Sequence, residues 1–253
     1  MKNKWVISCF LAMLFLFMIP QAVTAQGLPD ISINIGSGDE SEPAGTSALS
    51  LLLIITVLSV APAILVLMTS FTRIVVVLGF VRTSIGTQQM PPNQVLLGLA
   101  MFLTFFIMAP TLGQVNEQAL QPYLKGEISQ SVALEKAADP MKKFMYSHTR
   151  EKDLLLFVNY TKTEKPETLD DIPLHILIPA YALSELKTAF QIGFMIFIPF
   201  LVIDMIVAST LMAMGMMMLP PIMISLPFKI LLFVLVDGWY LIIRSLLLSF
   251  NAG

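Results

Sequence analysis

The stretch Met212-Ala-Met-Gly-Met-Met-Met-Leu-Pro-Pro221 joins two long apolar segments of the chain. Seven of the 17 methionines lie between Met205 and Met223. Because Met is unbranched, flexible and polarizable, a methionine cluster adapts to shapes that a rigid aliphatic surface rejects. We expect so apolar a connection to be buried in a partner or to line a passage. The plainer alternative is that Met replaces Leu at the end of a lipid-facing helix.

The composition on both sides of this turn is that of a membrane protein. Hydrophobic residues make up 56% of the 253 residues and charged residues only 13%, and the mean hydropathy is +0.80. The net charge of −2 gives no sign of nucleic-acid binding. Of the 32 charged residues, 20 lie between Gln114 and Lys187. The chain is therefore apolar, then polar, then apolar again.

This distribution predicts an all-α integral membrane protein in which two apolar helical hairpins flank a polar helical insert. The first hairpin spans 48–113, the insert 114–189 and the second hairpin 190–250, with the Met-rich turn at its tip. Within the insert, short amphipathic helices are predicted to break at Asp139-Pro140. The segment Ile222–Phe250 is predicted as one apolar element that follows the turn.

The N-terminus has the form of a secretory signal peptide over residues 1–25. Lysines precede a short apolar core, and small residues lead to a cleavage site between Ala25 and Gln26. The alternative is an uncleaved first transmembrane helix. A flexible, acidic, extracytoplasmic lead-in follows over 26–47. Export of that segment would place the polar insert outside and the Met-rich turn inside or at membrane depth.

Five charges interrupt the apolar segments: Arg73, Asp204, Lys229, Asp237 and Arg244. Each would cost roughly 2.5–3.5 kcal/mol at the bilayer centre on insertion scales. On one helix, Asp237 and Arg244 would lie about 20° apart but about 10 Å apart in rise, and Lys229 about 80° from Asp237. Partners on another helix or another subunit are therefore expected. The alternative is a proton relay.

Signals for catalysis or for a cofactor are weak. His148 and His175 lack metal-ligand spacing, and Ser184 and Ser225 have no evident base to activate them. No glycine-rich phosphate loop occurs in the sequence. The residues favour a protein that is not an enzyme and needs no cofactor or metal. They leave open a small-solute or ion transporter whose membrane charges bind substrate or protons.

Two longer stretches are more specific. The sequence Pro179-Ala-Tyr-Ala-Leu-Ser-Glu-Leu-Lys-Thr-Ala-Phe-Gln-Ile-Gly-Phe194 resembles a signature of the FliP/SctR family of type III export-gate proteins, and Pro227-Phe-Lys-Ile-Leu-Leu-Phe-Val-Leu-Val-Asp-Gly-Trp239 resembles its second signature. The Met-rich turn and Phe71-Thr-Arg-Ile-Val-Val-Val-Leu78 are also similar to this family. The resemblance covers about Leu51 to Phe250 and favours the flagellar branch over the virulence branch.

This resemblance implies a pore-forming subunit of the flagellar export gate, which passes unfolded flagellar proteins across the bacterial inner membrane at the basal body. It implies a helical homo-oligomer, surrounded by membrane lipid, with FliQ-like and FliR-like gate subunits and with FlhB-like and FlhA-like export components. It also implies that some apolar helices of the complex lie above the membrane plane rather than in lipid.

Roles for particular residues follow from the same resemblance. It implies a pore gasket formed by Met214, Met216, Met217 and Met218. It implies that Phe190, Phe194 and Phe197 line or support the channel. The charges expected to hold helices or subunits together are Arg73, Glu185, Lys187, Asp204, Lys229, Asp237 and Arg244.

Overall fold

The chain divides into two compact units, 1–57 and 58–253. A computed structural model describes Leu52, Ile55, Thr56, Ser59, Val60, Pro62 and Ala63, and then residues 66–87, 90–161, Thr168, 171–216 and 219–251. In the first unit, Thr56 Oγ1 donates to the carbonyl of Leu52, 2.7 Å away, as in a helix. The predicted signal peptide, its cleavage site at Ala25 and Gln26, and the lead-in lie outside the described residues.

Every regular element described between Phe71 and Asn251 is helical, which confirms the all-α prediction. The helices are α1 (Phe71–Ile85), α2 (Asn93–Val115), a π-helical turn (Asn116–Leu120), α3 (Gln121–Leu124), α4 (Gln130–Ser147), α5 (Glu151–Thr161), α6 (Leu174–Ala213), α7 (Pro221–Leu235) and α8 (Gly238–Asn251).

Helix α1 is the centre of the apolar core. It packs against α6, α2 and α7, and Ile74, Val77, Leu78 and Val81 are fully buried. Apolar residues at spacings of three and four therefore put one face of α1 into the core. Helix α2, in contrast, exposes large apolar side chains such as Phe102 and Phe106. Exposed aromatic residues in a membrane protein face lipid or another protein, since water would disfavour them.

Helix α6 has 40 residues and links the polar insert to the second hairpin. At 1.5 Å per residue it is about 60 Å long, whereas the hydrocarbon core of a bilayer is about 30 Å thick. Its first third packs with α4 and α5 around Tyr181, and Ala189 and Phe200 join the core around α1. The predicted division between residues 189 and 190 thus falls inside one continuous helix.

Among the described residues, two helical stretches have the length and composition to cross a membrane, Asn93–Leu124 and Leu174–Ala213. Helices α7 and α8 would make a third only as a broken pair, because their axes differ by 62°. The prediction of one element over Ile222–Phe250 is therefore wrong. The break has a backbone cause: Asp237 takes φ +51°, in the left-handed region, and cannot continue the helix.

The prediction of a helix break at Asp139-Pro140 is also wrong. Helix α4 runs without interruption from Gln130 to Ser147 with Pro140 inside it. Proline removes one backbone donor, but Pro140 is buried, and the packing of α4 against α2 and α6 offsets the loss.

Helix α1 packs tightly against α6 at Gly193. A Cβ added there would lie 2.4 Å from Phe80 Cδ2 and 3.0 Å from its Cβ, so the ring cannot move aside easily. We expect Gly193→Ala to destabilise the protein by about 1–3 kcal/mol through overpacking. Gly98→Ala on α2 meets no atom within 4 Å and is the control, expected to be neutral or stabilising. Thermal unfolding in detergent measures both; equal effects would contradict the close contact.

Candidate functional site

The Met-rich turn begins with a regular helix C-terminus. The N–H of Gly215 donates to the carbonyl of Met212 (3.0 Å), and the N–H of Met216 donates to the carbonyl of Leu211 (3.0 Å). This pair of hydrogen bonds is the Schellman motif, which requires a left-handed residue between helix and turn. Gly215 supplies it with φ +74°. The sequence therefore ends α6 at a fixed point and turns the chain toward α7.

The methionine side chains of this turn are exposed. Met214 is 62% and Met216 46% exposed, and Met212 is exposed as well. Met217 and Met218 lie outside the described residues. An apolar turn that the described part of the chain leaves uncovered presents flexible thioethers to its surroundings. The gasket role of these residues stays a prediction.

Replacing Gly215 tests whether this turn geometry matters. Gly215→Ala forces a Cβ into the left-handed region and is expected to cost about 1 kcal/mol of local stability. Gly126, in the insert, has φ +75° and equally open space, so Gly126→Ala is a matched control with a similar cost. If the turn seals a pore, only Gly215→Ala raises ion leak, measured as membrane depolarisation. Equal leak from both variants would contradict a special role for the turn.

Behind the turn, a partly buried ion pair clamps α6 to α7. Lys229 Nζ donates to Asp204 Oδ2 at 2.6 Å, and Ser225 Oγ donates to Asp204 Oδ1 at 2.5 Å. Lys229 is buried, while the Asp204 side chain keeps 25% exposure. The ammonium also lies beside Gly86, which follows the carbonyl end of α1, where the helix dipole favours a cation. This cluster fixes the hairpin that carries the methionines.

A second buried pair joins α1, α6 and α8. Arg73 Nε donates to Glu185 Oε2 at 2.8 Å, and its Nη2 binds the other carboxylate oxygen. Arg73 is 3% exposed and Glu185 is 0% exposed. The Arg73 Nη1 donates to the carbonyl (3.0 Å) and Oγ (2.9 Å) of Ser249, and the guanidinium lies 3.8 Å from the centre of the Phe250 ring. Each nitrogen of the guanidinium thus donates at least one hydrogen bond, and its face packs on an aromatic ring.

Next to this pair lies a polar cluster that the sequence did not reveal. Ser184 Oγ donates to Asp153 Oδ2 at 2.7 Å and accepts from the N–H of Arg150 at 3.1 Å. The Arg150 guanidinium pairs with the same Asp153 oxygen at 2.8 Å. These contacts hold the start of α5 against α6. Asp153 stands in a run of charged residues, and only packing against α6 distinguishes it from an exposed carboxylate.

His148 has a structural position at the corner between α4 and α5. Its Nε2 lies 3.2 Å from the carbonyl of Phe250, and its ring packs against Phe144 and Phe250 at centroid distances of 4.8 Å and 5.3 Å. The end of α8 therefore rests on the insert. His175 is exposed at the start of α6. Among the described residues, no cluster of His, Cys, Asp and Glu could hold a metal ion.

The remaining predicted residues lie on exposed surfaces. Phe190 packs edge-on against Phe80 at a centroid distance of 5.3 Å but remains mostly exposed, as does Phe194, whereas Phe197 is half-buried. In the part of the chain that the structure describes, Lys187, Asp237 and Arg244 are exposed and form no ion pair. The structure thus pairs four of the seven predicted charges between helices and leaves three at the surface.

These features define a helical membrane protein of two apolar hairpins, braced by buried ion pairs and joined by a helical insert. A model of the FliP family matches residues 54–246. The chain belongs to the FliP family.

Curated relatives extend this result over the whole fold. The flagellar biosynthetic protein FliP of Bacillus subtilis is 68% identical over 218 residues, which cover 86% of this chain and 98% of the relative. The protein of that name from Pectobacterium carotovorum is 51% identical over 95% of this chain and 92% of its own length. The Aquifex aeolicus protein is 47% identical, covering 88% and 92% respectively.

Proposed function

We propose that this chain is a pore-forming subunit of the flagellar type III protein export gate, which passes unfolded flagellar subunits across the inner membrane during flagellum assembly. Its membership of the FliP family supports this directly, since its relatives over nearly the whole chain are flagellar biosynthetic proteins. In this proposal the protein has no catalytic role of its own.

The observation that carries the mechanism is the exposed methionine turn at the tip of a clamped hairpin. Met214 and Met216 are uncovered, while Asp204, Lys229 and Ser225 fix the two helices behind them. A gate must accept varied side chains and leak few ions, and deformable thioethers close around a chain without binding it strongly. One turn cannot close a pore. The proposal therefore requires several copies whose turns meet, with Met217 and Met218 completing each turn.

The proposed setting follows from the same argument. Several copies assemble with FliQ-like and FliR-like gate subunits, next to FlhB-like and FlhA-like export components, in the inner membrane at the flagellar basal body. The exposed apolar faces of α2 and α6 would meet lipid or these neighbours. Phe190, Phe194 and Phe197 would line or support the channel.

A small-solute transporter fits the charges less well. A transporter uses intramembrane charges that can reach its substrate or a proton path. Here the buried charges Arg73, Glu185 and Lys229 already have hydrogen-bonded partners within the chain. They brace the helices and leave little capacity to bind a solute.

Deletion and reconstitution test the proposed function. Removal of the chain is expected to abolish export of hook and filament subunits, and re-expression to restore it. The chain should also purify as a multi-copy complex with other small membrane proteins. Normal export in the deletion strain, or uptake of a preferred solute by the purified chain alone, would contradict the proposal.

A further inference from the structure

Helix α8 carries an exposed stripe that no described part of the chain covers. Exposed residues at spacings of three and four lie on one side of the helix. The opposite side buries Ile242, Leu246 and Phe250 in the core. The α8 stripe consists of Asp237, which directly precedes the helix, and of Tyr240, Leu241, Arg244, Ser245 and Leu248 on it. Three of them are large and mostly apolar, so the stripe is an uncovered surface of the kind that packs against another helix.

The two charges of the α8 stripe are complementary and unpaired. Neither Asp237 nor Arg244 forms an ion pair in the described part of the chain. Asp237 lies at the start of α8, where its carbonyl accepts from the N–H of Leu241 (3.1 Å), and Arg244 lies seven residues further on, about 10 Å along the axis and too far to pair with it. In contrast, Arg73, Glu185, Asp204 and Lys229 all find partners within the chain. A charge in an apolar segment needs a partner, because desolvating it alone is costly.

Neighbouring copies of this chain can supply both partners, one from the copy on each side. Copies inserted into one membrane share one orientation, so α8 points the same way relative to the membrane in each copy. On parallel helices, an acid and a base that are offset along the axis meet only when the neighbouring copies are staggered. The stagger needed is up to about 10 Å, and the reach of the arginine side chain reduces it. One copy then uses its acid and the other its base, which is a head-to-tail contact.

We propose that the α8 stripe is a contact between neighbouring copies of this chain, in which Asp237 of one copy pairs with Arg244 of the next. This rests on the proposed function, which requires several copies. The backbone at Asp237 supports the choice of residue. Asp237 takes φ +51°, in the left-handed region that Asp tolerates, and this places its carboxylate at the exposed break between α7 and α8, where a neighbouring copy can reach it.

Cross-linking between differently tagged copies tests the contact. One copy carries Asp237→Cys and the other Arg244→Cys, both with Cys9→Ala, which removes the single natural cysteine. A short bis-maleimide should link the two cysteines that replace the ion pair. The product then carries both tags, and it should form in complexes that still export. Leu231→Cys, exposed on α7, replaces Asp237→Cys in the control and should give little product. Mixed product no higher than this control overturns the proposal.

Other products are equally decisive. Cross-linking mainly between two copies of Asp237→Cys would indicate a symmetric contact, and cross-linking mainly to a different protein would make that protein the occupant. Either result overturns the proposal while leaving the export function intact. If even the unmodified chain yields no complex with more than one copy, the proposed function itself fails.

A double-mutant cycle measures the pair without cysteines. Asp237→Asn preserves the left-handed backbone, and Arg244→Gln keeps a long polar side chain. Each is expected to lower the yield of assembled complex roughly tenfold, about 1.4 kcal/mol, because each leaves one charge unpaired. The double variant should be no worse than either single variant, and Arg244→Lys should recover part of the yield. Additive losses would show that the two residues do not interact and would overturn the pairing.

Discussion

Replacing Glu185 with Gln is expected to lower the free energy of unfolding by about 3–5 kcal/mol, because it leaves the guanidinium of Arg73 buried without its counter-charge. The pair is almost completely buried and joins α1 to α6. The contacts of Arg73 to Ser249 and Phe250 bring in α8 as well. The loss should therefore loosen three helices together, and it should be seen as a lower midpoint of thermal unfolding in detergent.

Two further variants show whether the loss of stability comes from the buried, unpaired charge or from the removal of any carboxylate. Glu151→Gln removes an exposed carboxylate on α5 and should change stability little. The double variant Arg73→Met/Glu185→Met removes both charges and should recover part of the loss, since replacement of a buried pair by apolar groups is often neutral. A double variant that is less stable than Glu185→Gln alone would contradict the account of the buried charge.

Replacing Lys229 with Met is expected to cost about 2–3 kcal/mol, because Asp204 then keeps only its hydrogen bond from Ser225. The cost is smaller than at Glu185 since the Asp204 side chain is 25% exposed and can reach water. The hairpin of α6 and α7 should open more easily. Limited proteolysis near the methionine turn would measure this alongside thermal unfolding.

The matched control is Lys136→Met, which removes an exposed lysine from α4 and should leave both measurements unchanged. Lys229→Met/Asp204→Leu should restore most of the lost stability. If Lys229→Met alone leaves proteolysis at the turn unchanged, the clamp does not hold the hairpin.

The sequence predicted the helical hairpins well because their apolar segments are long and bounded by polar turns. It placed the methionine turn correctly between two helices, since Gly215 and Pro220-Pro221 are strong stop and start signals. The break between α7 and α8 was missed although Asp237-Gly238 is a turn-forming pair. The continuous apolar pattern on both sides outweighed that local signal.

The error at Pro140 has the opposite cause. A proline normally ends a helix, but α4 continues through Pro140 because its buried face packs against α2 and α6. Tertiary packing also decides which polar residues are buried. Nothing in the sequence distinguishes Asp153 from its charged neighbours, and it acquires its role only where Ser184 on α6 meets it.

Ion leak through the closed gate tests the central claim most directly. In cells without exported substrate, replacement of Met214, Met216, Met217 and Met218 by Ala should raise ion conductance across the inner membrane, because Ala cannot fill the space that the thioethers close. Met195→Ala, an exposed methionine elsewhere on α6, is the control and should leave conductance unchanged. Conductance and export that both stay at the unmodified level in the four-methionine variant would contradict the proposal that this turn seals the gate.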